Sequence, residues 1–229
     1  MKFFRRLFIA LPISILMWLL IVRVCFGATY YLRADGTVTA ANKANATGCG
    51  AADTAMNLTQ HNAATFAAGD TITLCDNGGS FTDAGMVPPT AGEAGNVITY
   101  NASGHPIVAG PSAVGTRTLS VTKNYLTFYG LEFTGERALT LSMTRVLSST
   151  NVTFNYCVFR KCRTVVTDAY SSCAIEINAS TTIVLNNCIF TDNNRTAVYI
   201  RSVSTVTMRN CIVAGNAQYY GNGIAVYNS

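Results

Sequence analysis

The chain has 229 residues, 49% of them hydrophobic and only 12% charged, enough for one sizeable core or two small ones. So few charges beside 18 glycines exclude a coiled coil, and the apolar content excludes a disordered chain. Of the 16 basic residues behind the formal charge of +5, four (Lys2, Arg5, Arg6, Arg23) lie in the first 27 positions, which leaves 12 against 11 acidic residues. The body of the protein is therefore near neutral, no nucleic-acid partner is expected, and function must rest on a local site.

The first segment reads as an export signal over residues 1–27. A basic start precedes the apolar run Leu7 to Val22, and Cys25 and Gly27 sit three and one before Ala28, the spacing of a signal-peptidase site. The competing reading is an uncleaved anchor, but Arg23 ends the run short of the ~20 apolar residues a bilayer needs. The expected location is secreted or cell envelope, with no membrane contact after cleavage. Export also permits disulfides. Without Cys25, seven cysteines remain at 49, 75, 157, 162, 173, 188 and 211, an odd number that cannot all pair within one chain.

Residues 28–94 read as an N-terminal cap and lead-in. Met56, Leu58, Ala63, Ala64 and Phe66 fit an amphipathic helix over 53–67, with Asp53 or Thr54 as N-cap. A first strand follows at Thr71–Cys75. Cys49 and Cys75 flank the expected helix and form one disulfide candidate.

Stacked turns are expected from about residue 95, and from about residue 118 one pattern keeps returning. LTFYGLEF from Leu126, VTFNYCVF from Val152, IVLNNCIF from Ile183 and VTMRNCIV from Val206 are spaced 26, 31 and 23 residues apart. A second strand-like segment accompanies each copy: ALTLSM from Ala138, AIEINA from Ala174, AVYIRS from Ala197 and GIAVYN from Gly223. Apolar residues alternate within a copy, as a half-buried strand requires. The shift between Phe154 and Cys157 needs a bend at Asn155–Tyr156, and Asn186–Asn187 and Asn210 fall at the same place. Short β-rich strands returning at this period are satisfied by a coil whose turns stack in parallel, ~4.8 Å apart. Leu131, Cys157, Cys188 and Cys211 would then form one inner column, and Phe133, Phe159, Phe190 and Val213 another. A sandwich is the rival fold, but it gives no reason for one residue type to recur at one phase. Cys162 and Cys173 bracket the long loop between strands and form the second disulfide candidate. The last residues, GNGIAVYNS, start another turn and stop, which leaves Ile224 and Val226 on an open end. A fragment of a longer protein is the expectation, and a short protein capped by dimerisation is the alternative.

The repeats GLEFTG, NVTFNYCVF, TIVLNNCIF and TVTMRNCIVAGN resemble those of right-handed parallel β-helix proteins of the pectate lyase-like superfamily. The segments AAGDTITLC and AGEAGNVITYNASGHPIVAG resemble the first turns of such proteins. The resemblance implies an all-β, right-handed parallel β-helix with a short N-terminal helical cap, over residues 28–229. It specifies activity poorly, because the same repeats serve lyases, hydrolases, epimerases and tailspikes.

Uronate lyases need a cation to neutralise the sugar carboxylate and a base to take the C5 proton. The candidate column is the outward side of the first strand of each turn: Thr140 and Ser142, then Glu176 and Asn178, then Tyr199 and Arg201, then Ala225 and Tyr227. Glu176, Asn178, Tyr199 and Arg201 are the candidate groove, although an ordinary solvated face is the competing reading. By resemblance, calcium-binding aspartates would fall near Glu176 and Asn178. An amide at 178 weakens a Ca2+ site, and no metal ligands are assigned. No Cys-x-x-Cys supports zinc, and neither His61 nor His105 lies near a nucleophile motif. Two functions are carried forward: a secreted β-helix protein that acts on or binds acidic polysaccharide, with lyase chemistry as one form, and a non-catalytic structural or adhesive surface protein.

Overall fold

A computed structural model describes residues 27–110, 116–135, 141–163, 173–202, 205–216 and 222–227. The export signal lies outside them, except for Gly27. Nearly all regular structure falls into three parallel sheets. The first holds β1 (Thr29–Leu32), β2 (Thr71–Cys75), β3 (Ile98–Ser103), β6 (Leu126–Tyr129), β9 (Thr150–Asn155), β12 (Thr181–Asn186) and β15 (Val206–Arg209). The second holds β4 (Ile107–Val108), β7 (Glu132–Thr134), β10 (Val158–Arg160), β13 (Ile189–Thr191) and β16 (Ile212–Ala214). The third holds β5 (Leu119–Val121), β8 (Thr144–Leu147), β11 (Cys173–Asn178), β14 (Thr196–Arg201) and β17 (Ile224–Tyr227). From β5 onward, each turn takes one strand from the third sheet, one from the first and one from the second, so the chain is a parallel β-helix.

The corner between the first and second sheets explains the asparagines of the repeat. Its left-handed residue is Gly104, Gly130, Tyr156, Asn187 and Asn210 in successive turns, with φ of 81, 70, 55, 52 and 51°. Glycine has no Cβ to clash there and asparagine tolerates the conformation well. Tyr156 is the exception among the five.

Inside the coil the columns stack in register. Tyr100, Phe128, Phe154, Leu185 and Met208 form one, with ring centroids 5.0 Å apart from Tyr100 to Phe128 and 4.8 Å from Phe128 to Phe154. Phe133, Phe159, Phe190 and Val213 form the next, as read from the sequence. Thr153, Val184 and Thr207 face outward, while Phe154, Phe159, Leu185 and Phe190 are fully buried. Met208 is only half-buried, because β15 is the last strand of its sheet. The thiols of Cys157, Cys188 and Cys211 donate to the Phe128, Phe154 and Leu185 carbonyls of the preceding turn at 3.6, 3.4 and 3.3 Å. They behave as small core residues with a weak donor.

The N-terminal part corrects the expected helix over 53–67. The helix is only Leu58–Ala63 (α1), capped by the Asn57 side chain, which accepts from the Gln60 N–H at 2.9 Å. Met56 cannot be helical, because its backbone bridges Leu32 in parallel: its N–H donates to Tyr31 O and its carbonyl accepts from Arg33 N–H. β2 pairs directly with β3, so the first sheet runs on past residue 94.

A disulfide joins Cys49 and Cys75, with Cα atoms 5.7 Å apart. The second expected pair is corrected: Cys162 and Cys173 are free, buried thiols. The Cys162 Sγ instead donates to the backbone carbonyl of Cys173 at 3.3 Å. At the far end Ile224 and Val226 are exposed.

Candidate functional site

The outer side of the third sheet is set by strand alternation. Ile175 and Ile177 of β11 point into the core, so Glu176 and Asn178 point out. Parallel register places Ser120, Arg145, Glu176, Tyr199 and Ala225 in one outward column. Leu147, Asn178, Arg201 and Tyr227 form the next. Glu176 is thus beside Tyr199, and Asn178 beside Arg201.

One turn departs from the sequence reading. Its strand is Thr144–Leu147, not ALTLSM, so Arg145 occupies the place beside Glu176 that had been given to a neutral residue. Thr140 lies outside the described residues. Ser142 precedes the strand, and its hydroxyl donates to Glu176 Oε2 at 3.0 Å. ALTLSM alternates as well as a true strand does, and this hid the shift.

The electrostatics follow from that shift. Glu176 is only 5% exposed. Its carboxylate has Arg201 Nε at 3.4 Å, Arg145 Nε at 3.5 Å and Arg117 Nη2 at 4.0 Å. Arg117 Nε also donates to the Ser142 hydroxyl at 3.2 Å, which links it to Glu176 a second way. The Nε atoms of Arg145 and Arg201 are buried and make no hydrogen bond, so each guanidinium is attracted by Glu176 without being aligned on it. Among the described residues, three guanidiniums face this one carboxylate, an excess of two positive charges in a place where solvent screens weakly. Burial, reinforced by neighbouring Arg145, lowers the pKa of Arg117.

This surrounding does not fit calcium. A divalent cation wants several convergent oxygen ligands, and Glu176 and Asn178 stand among guanidiniums that would repel it. No group of metal-ligating side chains occurs among the described residues.

The four expected residues are therefore together, but Glu176, Asn178 and Tyr199 are buried rather than lining an open groove. Arg117 and Arg145 escaped notice. Arg117 precedes its strand, and Arg145 was masked by the register shift. His61 is fully buried, with Nε2 at 3.2 Å from the Tyr100 hydroxyl and Nδ1 at 3.0 Å from Asn62 Oδ1. Its role is structural.

Comparison with curated proteins finds no match. Among solved structures, the chain is similar to a pectate lyase, Pel9A, with a TM-score of 0.56 and 17% identity over 82% of this chain and 48% of that one. It is similar to a rhamnogalacturonan lyase with a TM-score of 0.54 and 14% identity, over 88% of this chain and 62% of that one. The chain therefore spans about half to three-fifths of the length of these proteins, and at such identities the likeness is one of fold. Residues 91–229, more than half of the sequence, match the family described as a right handed beta helix region, and the chain belongs to this right-handed β-helix family.

Proposed function

We propose that the protein is a carbohydrate-active β-helix of the cell exterior that takes an acidic polysaccharide against the outer side of its third sheet. The observation that carries this reading is the excess of guanidinium around Glu176. Arg117, Arg145 and Arg201 answer to one carboxylate, and a uronate carboxylate is the group that would complete their pairing. Arginine binds carboxylates by two parallel hydrogen bonds, and Arg201, whose side chain is 42% exposed, is the guanidinium best placed to meet one from solvent. Neutralising a uronate carboxylate also makes the neighbouring C5 proton more acidic, which is the demand of a lyase. The fold shared with a pectate lyase and a rhamnogalacturonan lyase supports the substrate class.

One observation favours a second reading. Glu176 is almost fully buried, as expected if the arginines only clamp it in a non-catalytic structural or adhesive protein. The two readings part on Arg201→Ala. Arg201 is the most exposed of the three guanidiniums, and its loss leaves Glu176 two arginines and the Ser142 hydroxyl, so the fold survives. The polysaccharide reading expects binding of polygalacturonate to weaken about tenfold, and any ultraviolet-absorbing unsaturated product to fall with it. Equal binding by variant and parent leaves the clamp.

A further inference from the structure

The corner where the first and second sheets meet carries a second cleft, of about 380 Å³, that the third-sheet site does not use. Two tyrosines of adjacent turns wall it. Tyr129 ends β6 and Tyr156 follows β9, with ring centroids 5.2 Å apart and planes tilted by 55°. They are 46% and 54% exposed, so neither is there to fill the core.

Tyr156 is also the misfit of its column. It holds a φ of 55° at the corner where the other four turns have glycine or asparagine. A bulky side chain in that conformation is strained; Tyr125 holds the same φ of 55°, but Tyr156 does so with its ring more than half exposed. The cleft itself exists because Gly104 and Gly130 occupy the two preceding corners and put no side chain in front of the rings. Gly104 has a further reason to be glycine, since a Cβ there would collide with the Asp76 carboxylate.

Ala102, Val158 and the two rings make the cleft largely apolar, and Glu132 at its edge is neutralised by Arg160, which lines the adjoining trough. Glu132 Oε1 accepts from Arg160 Nε at 2.6 Å, and both side chains are partly exposed. Glu132 is shared with an adjoining trough of about 210 Å³, where Ser80, Thr82 and Thr134 add hydroxyl-bearing side chains. Exposed aromatic faces leading into a paired acid and base match a pyranose, which offers a flat C–H face and a rim of hydroxyls. The Glu132–Arg160 pair cancels, unlike the arginine-rich third sheet, so the match is to an uncharged sugar.

We propose that Tyr129, Tyr156 and the Glu132–Arg160 pair form a docking site for a neutral pyranose chain, separate from the third-sheet site. The proposal does not depend on the reading of Glu176. It is tested by native electrophoresis of the full chain through gels containing galactomannan, hydroxyethylcellulose or polygalacturonate. The parent should be retarded by a neutral chain. Tyr156→Asn should bind that chain about tenfold more weakly, yet melt no lower than the parent, because asparagine suits the corner. Tyr129→Ala should weaken binding likewise, and Arg201→Ala should not. Absence of retardation by both neutral chains overturns the proposal, as does Tyr156→Asn binding as the parent does.

Discussion

Phe159→Ala is the sharpest test of the stacked core. Phe159 is fully buried between two equivalent rings, with centroids 5.3 Å from Phe133 and 4.9 Å from Phe190. It also meets Phe154 edge-on at 5.6 Å. Truncating a buried phenylalanine costs ~3–5 kcal/mol, and each lost ring pair adds to area burial by ~0.5–1.5 kcal/mol. The ladders to β7 and β13 hold the walls apart, so the cavity collapses little, and the expected loss is ~4–5 kcal/mol. Against a total of roughly 10 kcal/mol, that is near half. In a solenoid each turn leans on its neighbours, so the damage should be local. Urea unfolding measures the loss, and amide exchange should show lowered protection in β7, β10 and β13 with little change in β1 to β3. Phe159→Leu should cost only ~1–1.5 kcal/mol. A loss under ~2 kcal/mol for Phe159→Ala would refute the stacking argument, as would protection lost evenly along the coil.

Two further outcomes follow from buried groups. Thiol labelling of the unfolded, unreduced chain from residue 28 onward should find five reactive cysteines, at 157, 162, 173, 188 and 211, and none at 49 or 75; three would restore the Cys162–Cys173 bridge. In the folded protein Cys162 should resist labelling, because burial pushes its thiol up to about 12. Burial holds the His61 imidazole down to about 4, so the unfolded chain takes up this proton first as the pH drops. Stability from this group is full above the unfolded value of ~6.5 and falls toward pH 4 by up to ~3 kcal/mol. Comparing urea midpoints at pH 7 and pH 5, His61→Phe should flatten the dependence, and an unchanged slope would remove His61 as its source.

The coil was legible because stacking repeats a constraint. Phe133, Phe159 and Phe190 share one environment, so one phase shows one residue type, and the register of β9, β12 and β15 follows from it. The asparagine corners were legible for the same reason. The cap was not. Its apolar spacing suits a helix, but the pairing of Met56 with Leu32 is a contact across 24 residues that no local pattern announces. The site was half legible. Alternation alone puts Glu176, Asn178, Tyr199 and Arg201 on the outer side, whereas Arg145 depends on where β8 starts, and two alternating segments in a row make that ambiguous. That Glu176 is buried depends on packing over the sheet, to which strand periodicity is blind.

In a stacked fold the residues that break their own column carry the functional signal. The inner columns are held to one shape by the turns on either side, so a departure there costs core energy and is rare. Outward columns and corners have no such restraint: positive φ falls on Tyr125, Lys161, Ala179 and Thr182 elsewhere in the coil, but at the corner between the first and second sheets glycine or asparagine is the preference. Tyr156 violates that preference at a corner where glycine or asparagine serves every other turn, and gains no burial in return. Glu176 likewise sets a lone carboxylate in a column with Arg145 and Tyr199, where three arginines then gather around it. Each departure costs stability locally, strain in the first case and desolvated charge in the second. Among the described residues, the first cost is returned only by the contact with the Tyr129 ring, which leaves both rings about half exposed and open to a ligand. The second has a structural return, the tie between Glu176, Ser142 and Arg117, and so the Glu176 cluster needs the binding measurement before its arginines can be separated from a clamp.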